Sequence, residues 1–200
     1  MNAADPIRDL PVSVPQERGD AARNRALLME AARRLIDERG TDAVTMDDIA
    51  AAAGVGKGTL FRRFGSRSGL MMVLLDEDER ASQQAFMFGP PPLGPDAPAL
   101  DRLLAFGRAR LTFAHTHHEL LVAANRDPQS RYGAAAAVLH THVRMLLASA
   151  GTTGDLDAQT DALLALLEAA YVEHQLIERN RTLQAQGDAW ETLARKLCGR

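Results

Sequence analysis

The stretch "TMDDIAAAAGVGKGTLFRRFGSRSGL", residues 45–70, contains two short helix-forming segments separated by a glycine-rich turn. Thr45 is a residue type that caps helix N-termini, and the two aspartates after it complement the dipole of a first helical turn. Gly54 is expected to end the first segment, and the second should begin near Lys57 and end at Gly65. Two short helices joined by a turn that contains glycine are typical of a helix-turn-helix.

The glycines around Lys57 also suggest a phosphate-binding loop of a nucleotide-binding enzyme. A P-loop requires Ser or Thr directly after its lysine, whereas Gly58 follows Lys57, and Ala51 stands where the first glycine of that loop belongs. The dinucleotide fingerprint fails too, because the glycines here alternate at 54, 56 and 58. With no catalytic triad and no metal signature either, we expect a protein that is not an enzyme and that needs no cofactor.

As a helix-turn-helix, the stretch separates into an apolar inner face and a cationic outer face. Arg62 and Lys57 are predicted to read base edges in the major groove, while the flanking polar groups bind phosphates. A helix cap is the alternative role for Thr45, and a structural glycine is the alternative for Gly58; both alternatives remain open here. The predicted core residues are Ile49, Ala53, Val55, Leu60 and Phe64, and the predicted DNA contacts are Thr45, Lys57, Gly58, Thr59, Arg62, Arg63 and Arg67.

Residues 22–72 resemble the DNA-binding domain of the tetracycline-repressor (TetR) family of bacterial transcription regulators. The family pattern is an alanine-rich first helix, then T-x-x-x-I-A-x-x-A-G-V, K-G-[TS]-L-Y-x-[HY]-F and [SG]-[KR], which the quoted stretch follows closely. Phe61 stands where the family usually has a tyrosine that contacts a phosphate, so that hydroxyl contact is absent. Arg63 replaces a frequent histidine or tyrosine, which keeps a donor and adds a permanent charge.

The resemblance implies a homodimer that binds double-stranded operator DNA and holds a largely apolar small-molecule effector in its C-terminal domain. Effector binding would then release the DNA, as in a repressor. The alternative is a constitutive or architectural DNA-binding protein with a filled C-terminal core and no ligand. A well-formed cavity, or thermal stabilisation by a small molecule, would distinguish the two.

Charge and composition agree with a DNA-binding module joined to an acidic one. Residues 22–69 contain nine Lys and Arg against six Asp and Glu, hence +3, and the total of −3 leaves −6 for the remainder. Cys198 is the only cysteine, so no intrachain disulfide can form. We find neither a signal-peptide core nor a span of about eighteen apolar residues, so we expect a soluble, cytoplasmic protein without membrane association.

The chain shows no alternating strand pattern, so we predict an all-α fold with an N-terminal helix-turn-helix domain and a larger C-terminal helical domain. The predicted domains are a flexible arm (1–20), the helix-turn-helix domain (21–68) and an effector-binding and dimerisation domain (69–200). Apolar spacing and breakers predict helices over 21–39, 46–53, 57–64, 66–88, 99–118, 130–149 and 156–180, with a last one containing Trp190. Residues 89–98, "GPPPLGPDAP", are predicted to form a loop because prolines interrupt helices.

The C-terminal domain offers residues for the two implied tasks, effector binding and dimerisation, and ordinary core packing is the alternative for both sets. Five of the six histidines cluster at 115–118 and 140–142, yet neighbouring helical histidines diverge and no thiolate is near, so pocket or surface histidines are favoured over a metal site. The predicted pocket residues are Phe86, Phe106, Phe113, His117, Tyr171 and His174, and the predicted dimer contacts are Leu163, Leu167, Ala170, Trp190, Leu193 and Leu197.

Overall fold

A computed structural model describes residues 14–124 and 134–199 of the chain. All regular secondary structure in those residues is α-helical, which confirms the predicted all-α class. Within the same residues, none of the helices has the length and apolar character needed to cross a bilayer. The helices are α1 (Val14–Arg39), α2 (Met46–Ala53), α3 (Lys57–Phe64), α4 (Arg67–Phe88), α5 (Ala99–Thr116), α6 (His118–Ala124), α7 (Ala134–Ser149), α8 (Leu156–Ala165), α9 (Ala169–Ile177) and α10 (Leu183–Leu197).

The chain divides into two compact units within α4, between Leu74 and Leu75. Sequence analysis placed the domain boundary earlier, between residues 68 and 69. The reason for the difference is that Leu70, Met71 and Leu74 of α4 are at most 5% exposed, so the first turns of α4 contribute apolar side chains to the first unit.

The first unit is built on the predicted apolar face of α1. Leu28 and Ala32 have no exposed surface, and Leu35 is 4% exposed. Gly40 ends the helix with φ +78°, a left-handed conformation that glycine adopts without strain. Of the five predicted core residues in the helix-turn-helix, Ile49, Leu60 and Phe64 are buried, while Ala53 and Val55 are half-buried.

The predicted flexible arm is wrong for residues 14–20, because α1 begins at Val14 rather than at Ala21. Pro15 stands in the first turn of the helix, where its missing N–H has no intrahelical partner to lose. Gln, Glu and Arg, which follow it, are good helix formers. Residues 1–13 of the predicted arm lie outside the described residues.

The second unit surrounds α5, which was predicted to be a largely buried central helix. Leu103 and Phe106 on this helix have no exposed surface, and Gly107 lets the indole of Trp190 on α10 lie directly against the backbone. A Cβ built at Gly107 would approach three ring atoms of Trp190 to 2.3–2.6 Å. The indole nitrogen donates to the carbonyl of Leu163, 3.1 Å away, so α5, α8 and α10 meet at this ring.

Two predicted helices are interrupted in the structure. The one over 99–118 ends at Thr116, and a new helix begins at His118. The one over 156–180 splits into α8 and α9, because Glu168 takes an extended conformation with ψ 135°. In one straight amphipathic helix, residues that share a face are three or four positions apart, so two residues separated by two positions do not both face the core. The break between α8 and α9 allows Leu167 and Ala169 both to be buried.

The remaining helix boundaries are close to the predicted ones. The loop over 89–98 separates α4 from α5 as predicted. The described part of the helix predicted over 130–149 begins at Ala134, and residues 130–133 lie outside the described ones.

Candidate nucleic-acid interface

Thr45 and Asp48 close the N-terminus of α2 as a reciprocal capping box. The amide of Asp48 donates to the Thr45 hydroxyl at 3.2 Å, and the hydroxyl donates to Oδ2 of Asp48 at 2.6 Å. The side-chain hydrogen bond from Thr45, followed by the one from the Thr45 amide, holds the pKa of Asp48 below its ordinary value. The Thr45 hydroxyl is therefore engaged as a helix cap, the alternative that sequence analysis left open.

The turn between α2 and α3 depends on Gly54. This residue has φ 63° and ψ 27°, and its N–H donates to the carbonyls of Ala50 and Ala51. The amide of Val55 also donates to the carbonyl of Ala50, at 3.0 Å, so the turn satisfies the carbonyls of Ala50 and Ala51 near the end of α2. A Cβ at Gly54 would meet no atom within 4 Å, so the left-handed φ, rather than crowding, requires glycine here.

α3 separates its residues into a buried side and an exposed side. Leu60 and Phe64 anchor it in the core of the first unit, at 0% and 9% exposure. The helix has no acidic residue, so its outer surface is cationic. We call this surface the α3 face; its exposed residues are Lys57, Gly58, Phe61, Arg62 and Arg63.

Lys57 lies at the start of the α3 face and forms an ion pair that sequence analysis missed. Its Nζ lies 2.6 Å from Oδ1 and 2.7 Å from Oδ2 of Asp47 on α2, and 5.9 Å from the centre of the Phe61 ring. The side chains of both partners are about 60% exposed, at 59% and 62%. Exposed pairs of this kind contribute about 0–1 kcal/mol, so a phosphate can compete for the lysine. The missed signal was Asp47, which was interpreted only as a partner of the helix dipole.

Gly58 is exposed on α3, and a Cβ added to it would meet no atom within 4 Å. Its φ lies outside the positive range where glycine is required. The alternative of a structural glycine is therefore wrong for this residue. Neither its φ nor its surroundings in the described part of the chain require a residue without a side chain. Glycine inside a helix costs about 1 kcal/mol relative to alanine, so this helix is less stable than it would be with alanine.

Two of the predicted phosphate-binding arginines contact the chain's own backbone. Arg63 is exposed, and its Nη1 donates to the carbonyl of Ala21 on α1 at 2.5 Å. Arg67 is half-buried; its Nε donates to the carbonyl of Val44 at 3.2 Å and its Nη2 to that of Thr41. The Arg67 guanidinium thus joins α4 to the loop between α1 and α2.

Arg62 and Thr59 complete the predicted contacts. Arg62 is exposed, and within residues 14–124 and 134–199 the structure gives it no hydrogen-bond or ion-pair partner. Thr59 is half-buried, one turn before Arg62 and Arg63, and its amide donates to the carbonyl of Gly56 at 2.9 Å. Arg62 is therefore the cation of the α3 face with the greatest freedom to reach an external partner.

Among the described residues, the six residues predicted to line an effector pocket fall into separate groups. Phe86 and Phe106 are buried edge to face, with ring centres 5.3 Å apart. His142, a residue missed as a site candidate, packs against both rings at 4.3 Å and 5.2 Å. Desolvation, with a smaller contribution from the charge of Arg102, lowers the pKa of His142 from 6.5 to about 4.

Phe113 and His117 lie elsewhere, with ring centres 4.4 Å apart. The buried Arg110 guanidinium lies 4.2 Å from the Phe113 ring and pairs with Glu79 of α4 at 2.8 Å. His174 is on the surface beside Glu178 at 3.1 Å. Tyr171 lines a cleft in the second unit, described further below.

The six predicted dimer residues also separate. Leu163, Leu167 and Trp190 are at most 8% exposed within the chain's own core, so the alternative of intramolecular packing describes them and the predicted dimer contact is wrong. Ala170 is exposed, while Leu193 and Leu197 are half-buried against the same core.

The clustered histidines do not gather into a metal centre within the described residues, where no group of three or more potential ligands has suitable geometry. His115 and His118 instead face Glu173, at 3.5 Å and 3.9 Å, and His140 faces Asp161 at 3.4 Å.

Comparison with known proteins supports the reading of the first unit. Residues 28–72 match the family model described as bacterial regulatory proteins, tetR family. An HTH-type transcriptional regulator of Staphylococcus aureus (strain bovine RF122 / ET3-1) is 39% identical over 61 residues, which is 30% of this chain and 33% of that protein. A counterpart from strain USA300 matches over the same length with the same identity. The chain thus aligns with about a third of the length of these curated relatives.

Solved structures resemble the chain over most of its length. A TetR-family transcriptional regulator from Streptomyces coelicolor has a TM-score of 0.61 and 23% identity, covering 88% of this chain and 97% of its own. A transcriptional regulator from Saccharomonospora viridis, solved with choline, has a TM-score of 0.66 and 20% identity, covering 86% and 95%. At these identities the likeness shows the shared fold, an N-terminal helix-turn-helix domain followed by a helical domain.

Proposed function

We propose that this chain, whose residues 28–72 match the tetR family of bacterial regulatory proteins, is a dimeric, DNA-binding transcription repressor that a small-molecule effector releases from its operator. The family consists of transcription regulators rather than enzymes. The observation that carries the proposal is the α3 face, an exposed cationic surface. It contains Gly58, where no contact within the described chain explains the absence of a side chain.

The α3 face fits the major groove. An α-helix with its side chains is about 10–12 Å in diameter, and the groove is about 12 Å wide. At Gly58 the helix backbone itself can approach the DNA, because no side chain stands between them. Arg62 has its guanidinium available for a base edge, and Lys57 exchanges Asp47 for a phosphate or a base when the groove is occupied.

The residues around α3 divide between contact and support. Thr59 and Arg63 of α3 are proposed to bind phosphates, with Arg63 giving up its bond to the Ala21 carbonyl. Thr45 and Arg67 were predicted to do the same, but their donors already bind the chain. We assign their side chains mainly to holding α2 and the loop before it in position, a role that still governs DNA affinity.

A dimer is proposed because one α3 face is small and reads only a few base pairs. Two copies about 34–36 Å apart would meet successive major grooves on the same side of the duplex. The surfaces available for this in the second unit are the exposed Ala170, Tyr171 and Ile177 of α9 together with the half-buried Leu193 and Leu197 of α10. Ile177 is 71% exposed, a large apolar side chain that a second copy would cover.

Release by an effector is proposed as a shift between two spacings of the α3 faces. A coupling free energy of about 1–3 kcal/mol changes operator affinity about 5- to 150-fold. One solved relative of the same fold holds choline, which supports a response to small molecules here. Dense packing of Phe86, Phe106 and His142 favours the second candidate, a constitutive DNA-binding protein without an effector.

Selection of binding sites from random double-stranded DNA tests the proposal. We expect two inverted half-sites whose centres are one helical turn apart, and loss of the enriched sequence when the selection is repeated with Arg62→Ala. Metabolite mixtures are then screened for release of the selected site. Recovery of no enriched sequence would overturn the DNA-binding proposal, whereas enriched sites that no metabolite releases would favour the constitutive alternative.

A further inference from the structure

A cleft of about 60 Å³ lies in the second unit, where α9, the turn after it and α10 meet. It is distinct from the packed cluster of Phe86, Phe106 and His142. Pockets for drug-sized molecules are about 300–1,000 Å³, so this cleft admits only a fragment of a few non-hydrogen atoms. Its walls include Leu166, Tyr171, Gln175, Arg181, Gln186 and Trp190.

Two glutamine side chains in this cleft are buried, at 8% exposure for Gln175 and 6% for Gln186. The Nε2 of Gln186 donates to the carbonyl of Val172 at 3.4 Å, but its Oε1 has no hydrogen-bond partner among the described residues. A buried polar atom without a partner costs about 1–3 kcal/mol. Gln186 therefore presents an unsatisfied acceptor in the wall of a cleft.

Arg181 supplies a cation to the same cleft. The chain folds back after α9 so that the Arg181 amide donates to the carbonyl of Gln175 at 2.9 Å. Its guanidinium makes only long contacts, 3.4 Å to Oε1 of Gln175 and 3.5 Å to the carbonyl of Ala185. A carboxylate would offer shorter, charge-assisted and bidentate hydrogen bonds, and would therefore displace these weak ones.

The remaining walls are apolar or carry one exposed hydroxyl. Trp190 already donates its indole N–H to Leu163, so it offers carbon atoms to the cleft. Leu166 adds a second apolar surface, and Tyr171, 37% exposed, also lines the cleft. The cleft thus combines a cation, a hydrogen-bond acceptor and a short apolar wall.

The geometry points to a binding site for a small aliphatic carboxylate that carries a hydroxyl or amino group. The carboxylate binds Arg181, the hydroxyl or amino hydrogen is donated to Oε1 of Gln186, and the carbon skeleton lies against Leu166 and Trp190. This inference deepens the proposed function, on which it rests for the role of the ligand as an effector, by naming a chemical class and a site; binding itself is measured on the chain alone, without DNA.

The test uses the full chain and seven probes. Glycolate, L-lactate, glycine and L-alanine have both groups; acetate and propionate lack the second donor, and lactamide lacks the charge. Isothermal titration and ligand-observed NMR measure binding without DNA. We expect at least one of glycolate, L-lactate, glycine and L-alanine to bind. Acetate or propionate, which lack the second donor, and lactamide, which lacks the charge, should bind at least 10-fold more weakly than the matched probe that has both groups.

Two variants locate the site, and a third is the matched control. Arg181→Gln and Gln186→Met should each weaken binding at least 10-fold, with folding verified by Trp190 fluorescence. Arg179→Gln removes the same charge two residues away from an exposed position outside the cleft walls, and should bind as the unaltered chain does. The inference is overturned if none of the four probes binds, if lactamide binds as well as lactate, or if Arg181→Gln leaves binding unchanged.

Repeating the titration with selected operator DNA separates this inference from the proposed function. Ligand binding with no affinity for DNA would refute the proposed function and leave the cleft assignment intact. DNA binding with no affinity for any of the four probes would refute the cleft assignment alone.

Discussion

His142 should make the stability of the second unit fall as the pH is lowered from 7 to 5. The imidazole is 6% exposed, packs against two phenylalanine rings, and has an Nε2 without a hydrogen-bond partner among the described residues. Its pKa is about 4 in the folded chain against an ordinary value of 6.5. Between these values the unfolded chain binds more protons than the folded chain, so acid favours unfolding.

The size of the effect follows from the two pKa values. A difference of one pKa unit corresponds to about 1.4 kcal/mol, and a shift from 6.5 to about 4 lowers the free energy of unfolding by about 2 kcal/mol between pH 7 and pH 5. The variant His142→Leu has a side chain of similar volume and cannot be protonated. It should therefore lack this contribution while keeping the pH response of every other histidine.

Urea unfolding at pH 5, 6 and 7 measures the effect, with the fluorescence of Trp190 as the probe. This single tryptophan is 2% exposed in the core of the same unit. The difference in unfolding free energy between the unaltered chain and His142→Leu should change by about 2 kcal/mol over this range, in favour of the variant at low pH. The control is His140→Gln, on the same helix but partly exposed beside Asp161, which should retain the loss seen in the unaltered chain. Parallel pH profiles for the unaltered chain and His142→Leu would refute the reasoning.

Three further predictions concern the glycines and the ion pair. Gly107→Ala places a Cβ about 2.3 Å from the Trp190 ring, so the urea midpoint should fall by the equivalent of about 1–3 kcal/mol, whereas an unchanged midpoint would show that α5 and α10 pack differently. Gly58→Ala should stabilise the first unit by about 0.5–1 kcal/mol, since the added methyl meets no atom, and yet should weaken operator binding in a gel-shift titration; tighter binding would contradict the close approach of the α3 backbone to DNA. Asp47→Asn should free Lys57 and raise the affinity for unrelated duplex DNA at low salt, measured by fluorescence anisotropy, and a lower affinity would mean that the pair positions Lys57 for binding.

Local chemistry made the helix-turn-helix predictable. The cap at Thr45, the left-handed glycine at 54 and the apolar spacing that buries Ile49 and Leu60 are each set by residues a few positions apart. The match to a family pattern has the same origin, since the motif is a record of those local requirements. Such signals position α2 and α3 correctly without any knowledge of the rest of the chain.

The α3 face was predictable in composition but less so in its contacts. The ion pair of Lys57 with Asp47 and the bond from Arg67 to Val44 join residues 10 and 23 positions apart, and no spacing rule reveals them. Long cationic side chains can also reach several acceptors within the same distance. Sequence reasoning therefore identified the cations but not their partners in the free chain.

The second unit was the least predictable part. The break between α8 and α9 contains neither glycine nor proline, so the pattern over 156–180 resembles one continuous helix. Trp190 and Leu163 lie in apolar stripes that suit a dimer surface and a chain's own core equally well. Only the packing of Trp190 over Gly107 decides between them, and that contact joins two distant parts of the chain.

The salt dependence of duplex-DNA affinity tests the placement of α3 in a groove most directly. The dissociation constant for a selected site is measured from 50 to 200 mM salt for the unaltered chain, for Arg62→Ala, and for Arg34→Ala, which removes an exposed arginine of α1. We predict affinity that falls steeply with salt, a loss of about 1–3 kcal/mol per half-site for Arg62→Ala, and no more than a twofold change for Arg34→Ala. Affinity independent of salt, or equal losses in the two variants, would contradict the account.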